Sequence, residues 1–215
     1  GELTGALEQL GLAENTVVIY SADHGEMAGE HGLWWKSNFY EQSARVPLIA
    51  AWPGHFSQGL RRSEPVSLLD LTATLVDVGG AMTTAEPFSS KLEGSTLRPL
   101  MERDQPAPGF TERPVFCDHY AHGYNRPARM ARLGTWKYVH VHGESEELYD
   151  LVTDPGELRN LAGEAAQAKK LAEMRDVVLK NWDGAAIDAE VRRSQHEREL
   201  ILTLEGRVRR ETAGM

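Results

Sequence analysis

The sequence predicts an α/β protein that closes with a small antiparallel sheet and helices. Three features of the chain predict it. Residues 1–80 read helix–strand–strand–helix, the alternation of an α/β layer. Residues 114–151 hold four short apolar runs with turn residues between them, the pattern of an antiparallel meander. Two polar stretches of helical character follow. The boundary is expected at residue 113, with 1–113 in the α/β unit and 114–215 in a C-terminal subdomain of sheet plus helices.

The first helix is read from apolar residues at 3, 6, 7 and 10, and Gly11 is its stop. Thr16-Val17-Val18-Ile19-Tyr20 is an apolar run expected to be a buried strand. Residues 22–44 are rich in Gly and His and read as loop with a short helix. Val46 to Trp52 is a second strand, ended by the Pro53-Gly54 turn. Ser67-Leu68-Leu69-Asp70 looks like a capping box. The Leu68, Leu71, Leu75 and Val78 face then gives a helix stopped at Gly79-Gly80. Residues 81–113 are dense in Pro, Ser, Thr and Gly and read as a long connection. Pro114–Tyr120, Ala128–Leu133, Lys137–Val141 and Glu147–Leu151 are the meander. Asp154-Pro155-Gly156 is a turn. Helices are expected from about Gly163 to Trp182 and from about Ala185 to Glu205, with Arg207–Met215 frayed. A parallel sheet needs several strands covered on both faces, and residues 1–80 supply two. More polypeptide upstream, or a partner, is expected to complete it.

Bulk properties narrow the function classes. The chain has 215 residues, is 41% hydrophobic and 26% charged, and carries a net charge of −9. That argues against a protein held to nucleic acid by phosphate contacts. No apolar run is long enough for a bilayer span, so no membrane partner is expected. The single cysteine, Cys117, can make neither an internal disulfide nor a Cys-rich zinc site. It reads as a small buried apolar residue.

The chemistry concentrates between residues 23 and 54. Asp23-His24-Gly25-Glu26 follows the first strand, and strand ends in α/β sheets are where ligands collect. Asp23 offers hard carboxylate oxygens and His24 an imidazole nitrogen, a pair suited to a divalent cation. An N-cap Asp beside a surface His is the plainer reading. Gly25, Gly29 and Gly32 let main-chain N–H groups approach an anion. Lys36 is a cation able to bind a tetrahedral anion, and Trp34 and Trp35 beside it suggest a partly desolvated setting. His31 is a candidate acid or substrate contact, or else braces the loop. Arg45 is expected to pair with Glu41 or another internal carboxylate in preference to substrate. Glu26 and Glu30 are candidates to orient His24 or Lys36. The two indoles either pack under the loop or present faces to a quaternary ammonium group.

Three stretches resemble the sulfatase family of the alkaline-phosphatase-like superfamily. They are residues 16–54, the helix at Ser67–Gly80, and Leu133-Gly134-Thr135-Trp136-Lys137-Tyr138 with Glu147-Leu148-Tyr149-Asp150-Leu151…Asp154-Pro155-Gly156-Glu157…Asn160-Leu161. Ser43-Ala44-Arg45-Val46-Pro47-Leu48 and the tail Trp182-Asp183…Ser194-Gln195…Arg198 look most similar to choline-sulfatase-type enzymes. The resemblance implies the C-terminal part of an alkaline-phosphatase-like sandwich. It implies Asp23 and His24 as metal ligands (for Ca, Mn or Mg) and Lys36 as the residue that binds the sulfate group, while the residue chemistry itself adds His31 beside Lys36 as a catalytic candidate and Trp35 beside Lys36 as a substrate-binding one. The family's nucleophile motif, Cys-x-Pro-Ser-Arg, does not occur in this sequence. The formylglycine made from it is therefore expected in an N-terminal half, with this chain a fragment inactive alone.

The reading is a sulfuric ester hydrolase acting on a small sulfate ester. A phosphonate monoester or phosphodiester hydrolase with the same site is the first rival. A short, non-catalytic metal- or anion-binding module is the second. A homo-oligomer built through the charged C-terminal helices is open, and a cytoplasmic or periplasmic setting is expected, with the cytoplasm preferred.

Overall fold

A computed structural model of the chain describes residues 1–80, 92–120 and 124–213. Helix α1 spans Glu2–Gln9 and ends where Gly11 takes a φ of 68°, a left-handed angle that costs glycine nothing. Strand β1 is Val18–Ser21. A hairpin of two very short strands follows, β2 at Met27–Ala28 and β3 at Trp34–Trp35. The short helix α2, Glu41–Ala44, leads into β4, Leu48–Ala51.

Strands β1 and β4 pair antiparallel, with Val18 opposite Ala51 and Tyr20 opposite Ile49. The parallel pairing suggested by the α/β pattern is not what these two strands make. Nor is β1 buried. Tyr20 and Ile49 are both 63% exposed, because among the described residues each strand has one neighbour.

Helix α3, Leu68–Val78, starts with the expected capping box at Ser67, whose N–H donates to the Asp70 carboxylate at 2.8 Å. Its inner face differs from the expected one. The buried residues are Asp70, Ala73 and Thr74, whereas Leu68 and Leu75 are exposed. Hydrogen bonds hold Asp70 and Thr74 inward, while Leu71 and Val78 of the expected face are half-buried. Asp70 accepts from the Ser95 N–H and from Arg113, and Thr74 accepts from the Leu97 N–H. Part of the expected loop at 81–113 is structured. Helices α4, Arg98–Glu102, and α5, Pro108–Thr111, set Leu97, Leu100 and Phe110 into a core cluster with Leu48 and Val66 at its edge. The stretch 81–91 of that expected loop lies outside the described residues.

The C-terminal meander forms as expected. Strands β5 (Val115–His119), β6 (Ala128–Leu133), β7 (Trp136–Val141) and β8 (Glu146–Asp150) lie side by side in chain order, all antiparallel. Cys117 is exposed on edge strand β5, not buried. Helix α6, Ala168–Leu179, buries Met174 and Val178 against Ala131, Tyr138 and Leu148 on one face of this sheet. Helix α7 runs Gly184–Ala213 and so takes in residues 207–213 of the stretch expected to fray, whose last two residues lie outside the described ones.

The opposite face of the sheet positions the functional loop. Ala128, Met130, Val139 and Val141 enclose Phe39, so residues leading into α2 share a core with the C-terminal sheet. Truncating a buried phenylalanine to alanine costs about 3–5 kcal/mol, which gauges how firmly this loop is held.

Candidate functional site

Asp23 and His24 follow the end of β1. The His24 N–H donates to Asp23 Oδ1 at 3.0 Å, which turns the carboxylate toward the ring. His24 Nδ1 donates to the Gly25 carbonyl oxygen at 2.7 Å. That bond fixes the tautomer and leaves the Nε2 lone pair free to bind. Nε2 lies 3.5 Å from Asp23 Oδ2. Lys36 comes back to this point along the β2–β3 hairpin and donates from Nζ to Nε2 at 2.6 Å. Three sequence-predicted site residues therefore converge: an acid, an imidazole and an ammonium group.

Gly25 makes the turn after His24 feasible. Its N–H donates to the Ser43 carbonyl at 2.8 Å. A Cβ there would sit 1.9 Å from the Gln42 carbonyl oxygen, so only glycine lets the loop approach the α2 backbone this closely. The Glu30 carboxylate accepts the Ala28 N–H at 2.7 Å, and that bond, first among the causes, lowers its pKa. In this geometry Glu30 braces its own loop and not His24 or Lys36.

His31 is placed differently from the other three. It adopts a left-handed φ of 55°, uncommon for a residue with a side chain. Its ring stacks on Tyr40 with centroids 3.8 Å apart and planes 8° from parallel, which accords with the bracing role. Trp34 and Trp35 are 72% and 76% exposed, so they do not pack under the loop, and Lys36 beside them is exposed instead of desolvated.

Sequence reasoning missed the residues behind α2. Glu41 pairs with Lys137 at 2.8 Å and Arg132 at 3.4 Å, in place of the expected Arg45. Lys137 also meets Glu157 at 2.7 Å. Strand alternation carried a signal: Lys137, Val139 and Val141 share one face of β7, which marks Lys137 as a buried cation.

The donor set fits a divalent ion of borderline hardness, for which mixed oxygen and imidazole ligation is usual. Among the described residues no group of three or more His, Cys, Asp or Glu side chains gathers at one point. Asp23 and His24 are thus a partial shell.

Residues 29–182 match the family described as N-sulphoglucosamine sulphohydrolase, C-terminal. The chain is 38% identical over 206 residues to the choline-sulfatase of Rhizobium meliloti (strain 1021), an alignment covering 94% of this chain and 38% of that protein. Among solved structures, it is similar to one determined in complex with its substrate D-glucosamine-2-N,6-O-disulfate. That match has a TM-score of 0.74 at 27% identity and covers 84% of this chain and 36% of the other. It is also similar to the phosphonate monoester hydrolase of Agrobacterium radiobacter, with a TM-score of 0.68 at 27% identity, covering 89% and 38%. The chain therefore spans little more than a third of the length of each of these relatives. By the family match over most of its length and by the fold around Asp23, His24 and Lys36, the chain belongs to the sulfatase family of the alkaline-phosphatase-like superfamily.

Proposed function

We propose that the chain is the C-terminal part of a metal-dependent sulfuric ester hydrolase and that it supplies two metal ligands and the sulfate clamp. The observation that carries this reading is the convergence of Asp23, His24 and Lys36 at the end of β1. Residues 1–113 would belong to the catalytic α/β unit and 114–215 to a supporting subdomain.

Asp23 Oδ2 and His24 Nε2 would hold the cation. A divalent metal bound there supplies Lewis-acid stabilisation of charge on the sulfuryl oxygens. Lys36 reaches the same point and would donate to one of those oxygens, where a fixed cation is worth most as negative charge develops. Its present partner, Nε2, accepts only while no metal claims that lone pair. His31, held by Tyr40, would brace the loop that carries Lys36. The sole cysteine is followed by Asp118-His119-Tyr120, so a formylglycine nucleophile would come from outside this chain. The exposed indole of Trp35 offers a π-face to the alcohol portion of a small sulfate ester. The similarity to a choline-sulfatase makes a quaternary ammonium group a reasonable occupant.

The structural similarity to a phosphonate monoester hydrolase favours one second reading. Sulfate and phosphonate esters present tetrahedral oxygens to the same clamp. Assay of the complete gene product against both ester types separates the two. Under the main reading, sulfate esters turn over faster, and Lys36→Ala lowers kcat by about 100-fold or more, the usual cost of one charge-stabilising donor. Asp23→Ala should lower metal content. A wild-type rate for Lys36→Ala, or unchanged metal in Asp23→Ala, would overturn the assignments.

A further inference from the structure

The Lys137–Glu157 ion pair lies in the C-terminal sheet, yet it grips the segment that carries the site. The two side chains are 1% and 0% exposed and their charged atoms are 2.7 Å apart. Lys137 Nζ also donates to the Phe39 carbonyl oxygen at 2.7 Å. Glu157 Oε2 accepts the Glu41 N–H at 2.6 Å. One buried pair thus pins the backbone on both sides of Tyr40, the residue on which His31 stacks.

The grip continues toward the metal ligands without a gap. Glu41 opens α2, and Ser43 in the same turn accepts the Gly25 N–H at 2.8 Å. The Gly25 carbonyl accepts from His24 Nδ1 at 2.7 Å. From Glu157 to the imidazole, each link is a hydrogen bond or a single helical turn.

Stability alone is a poor account of this pair. Burying two charges costs desolvation, and apolar residues of similar size are often as stabilising or more so. Glu157 also sits at a φ of 55°, a strained angle for a long side chain. Charge-assisted hydrogen bonds are short and directional, so what the pair adds over an apolar contact is a fixed position for Phe39 and Glu41.

We infer that Lys137 and Glu157 are positioning residues for the metal and anion site, acting through α2 and Gly25 on His24. This rests on the metal-and-anion reading of Asp23, His24 and Lys36. The test uses the complete protein with three readouts: calorimetric titration of Mn²⁺ and, separately, Ca²⁺; hydrogen exchange at the Gly25 and Glu41 amides against Val139 as control; and kcat and KM on a sulfate ester. In the Lys137→Met/Glu157→Leu variant, exchange at Gly25 and Glu41 should quicken about tenfold while Val139 stays protected. Metal affinity should fall about 10- to 100-fold, as when an outer partner of a metal ligand is lost, and kcat should fall more than KM changes. A folded variant with wild-type metal affinity and exchange would overturn the inference. If that variant fails to fold, Glu157→Gln gives the same comparison, since it keeps an acceptor for the Glu41 N–H and loses one of the two carboxylate charges that hold Lys137. A smaller loss in the same readouts supports the inference, and wild-type values overturn it. Wild-type protein that binds neither metal would instead sink the reading of the site, which separates the two failures.

Discussion

A Cβ at position 25 would lie 1.9 Å from the Gln42 carbonyl oxygen and 2.9 Å from its carbon. These are backbone atoms and cannot swing aside, so Gly25→Ala must push the loop off α2. The variant should lose about 1–3 kcal/mol of stability, the usual cost of an unrelieved overpacking clash. The His24 ring should also shift, because its Nδ1 bond is to the Gly25 carbonyl. Urea unfolding and a Mn²⁺ titration on the same sample check both parts. At this scale the sequence was informative where chemistry is local. Asp23, His24 and Lys36 were readable because a strand end, a glycine loop and a lysine occur close together in the chain. Glu157 was not readable as a partner of α2, because its contact with Glu41 spans 116 residues. Trp34 and Trp35 misled the reading of Lys36. Aromatic neighbours in sequence suggest a dry setting, but two adjacent residues in a short strand project to opposite faces, and neither is covered here.

Helix α6 is fastened to the sheet by apolar packing and by an ion pair, and the second is sensitive to acid. Arg175 donates to both Glu146 oxygens, at 2.6 and 2.5 Å, and the Tyr138 hydroxyl donates to the same carboxylate. The Arg175 bonds, first among the causes, hold the Glu146 pKa down at about 2 from its ordinary 4.5. A carboxylate depressed in the folded state stabilises above its unfolded pKa and loses that contribution as pH falls through the folded one. The contribution of Glu146 should therefore be intact above about pH 4.5 and fade toward pH 2. Thermal unfolding followed across that window should show a shallower decline for Glu146→Gln than for wild type. Equal slopes would mean the carboxylate is not held by Arg175 in solution. The meander that carries Glu146 was legible from turn spacing and short β-rich runs. Helix α4 was not, because Pro99 sits in its first turn and a Pro-rich stretch reads as loop, although proline is well accommodated there.

The described residues leave apolar surface uncovered on β1, β4 and α3. Tyr20 and Ile49 face each other across β1 and β4 at 63% exposure each, and Leu68 and Leu75 of the expected α3 face are 40% and 51% exposed. The expected helix face and the expected buried strand are apolar for a reason that these residues by themselves do not show, and the same cause explains both departures from the sequence reading. Apolar periodicity reports what a segment buries in its native setting, and this chain spans 38% of the choline-sulfatase it resembles. The prediction is that the rest of such a polypeptide covers β1, β4 and α3. Charged residues would then be tolerated there in one context and not in the other. In the isolated 215-residue chain, Tyr20→Lys/Ile49→Lys should reduce binding of a hydrophobic dye and improve solubility, because it breaks an exposed apolar patch. In the complete gene product the same pair should cost several kcal/mol and lower the yield of folded protein, because two charges would be buried without partners. Equal tolerance in both would mean that this face is solvent-exposed in the native protein, and the α/β unit would then need no further strands beside β1 and β4.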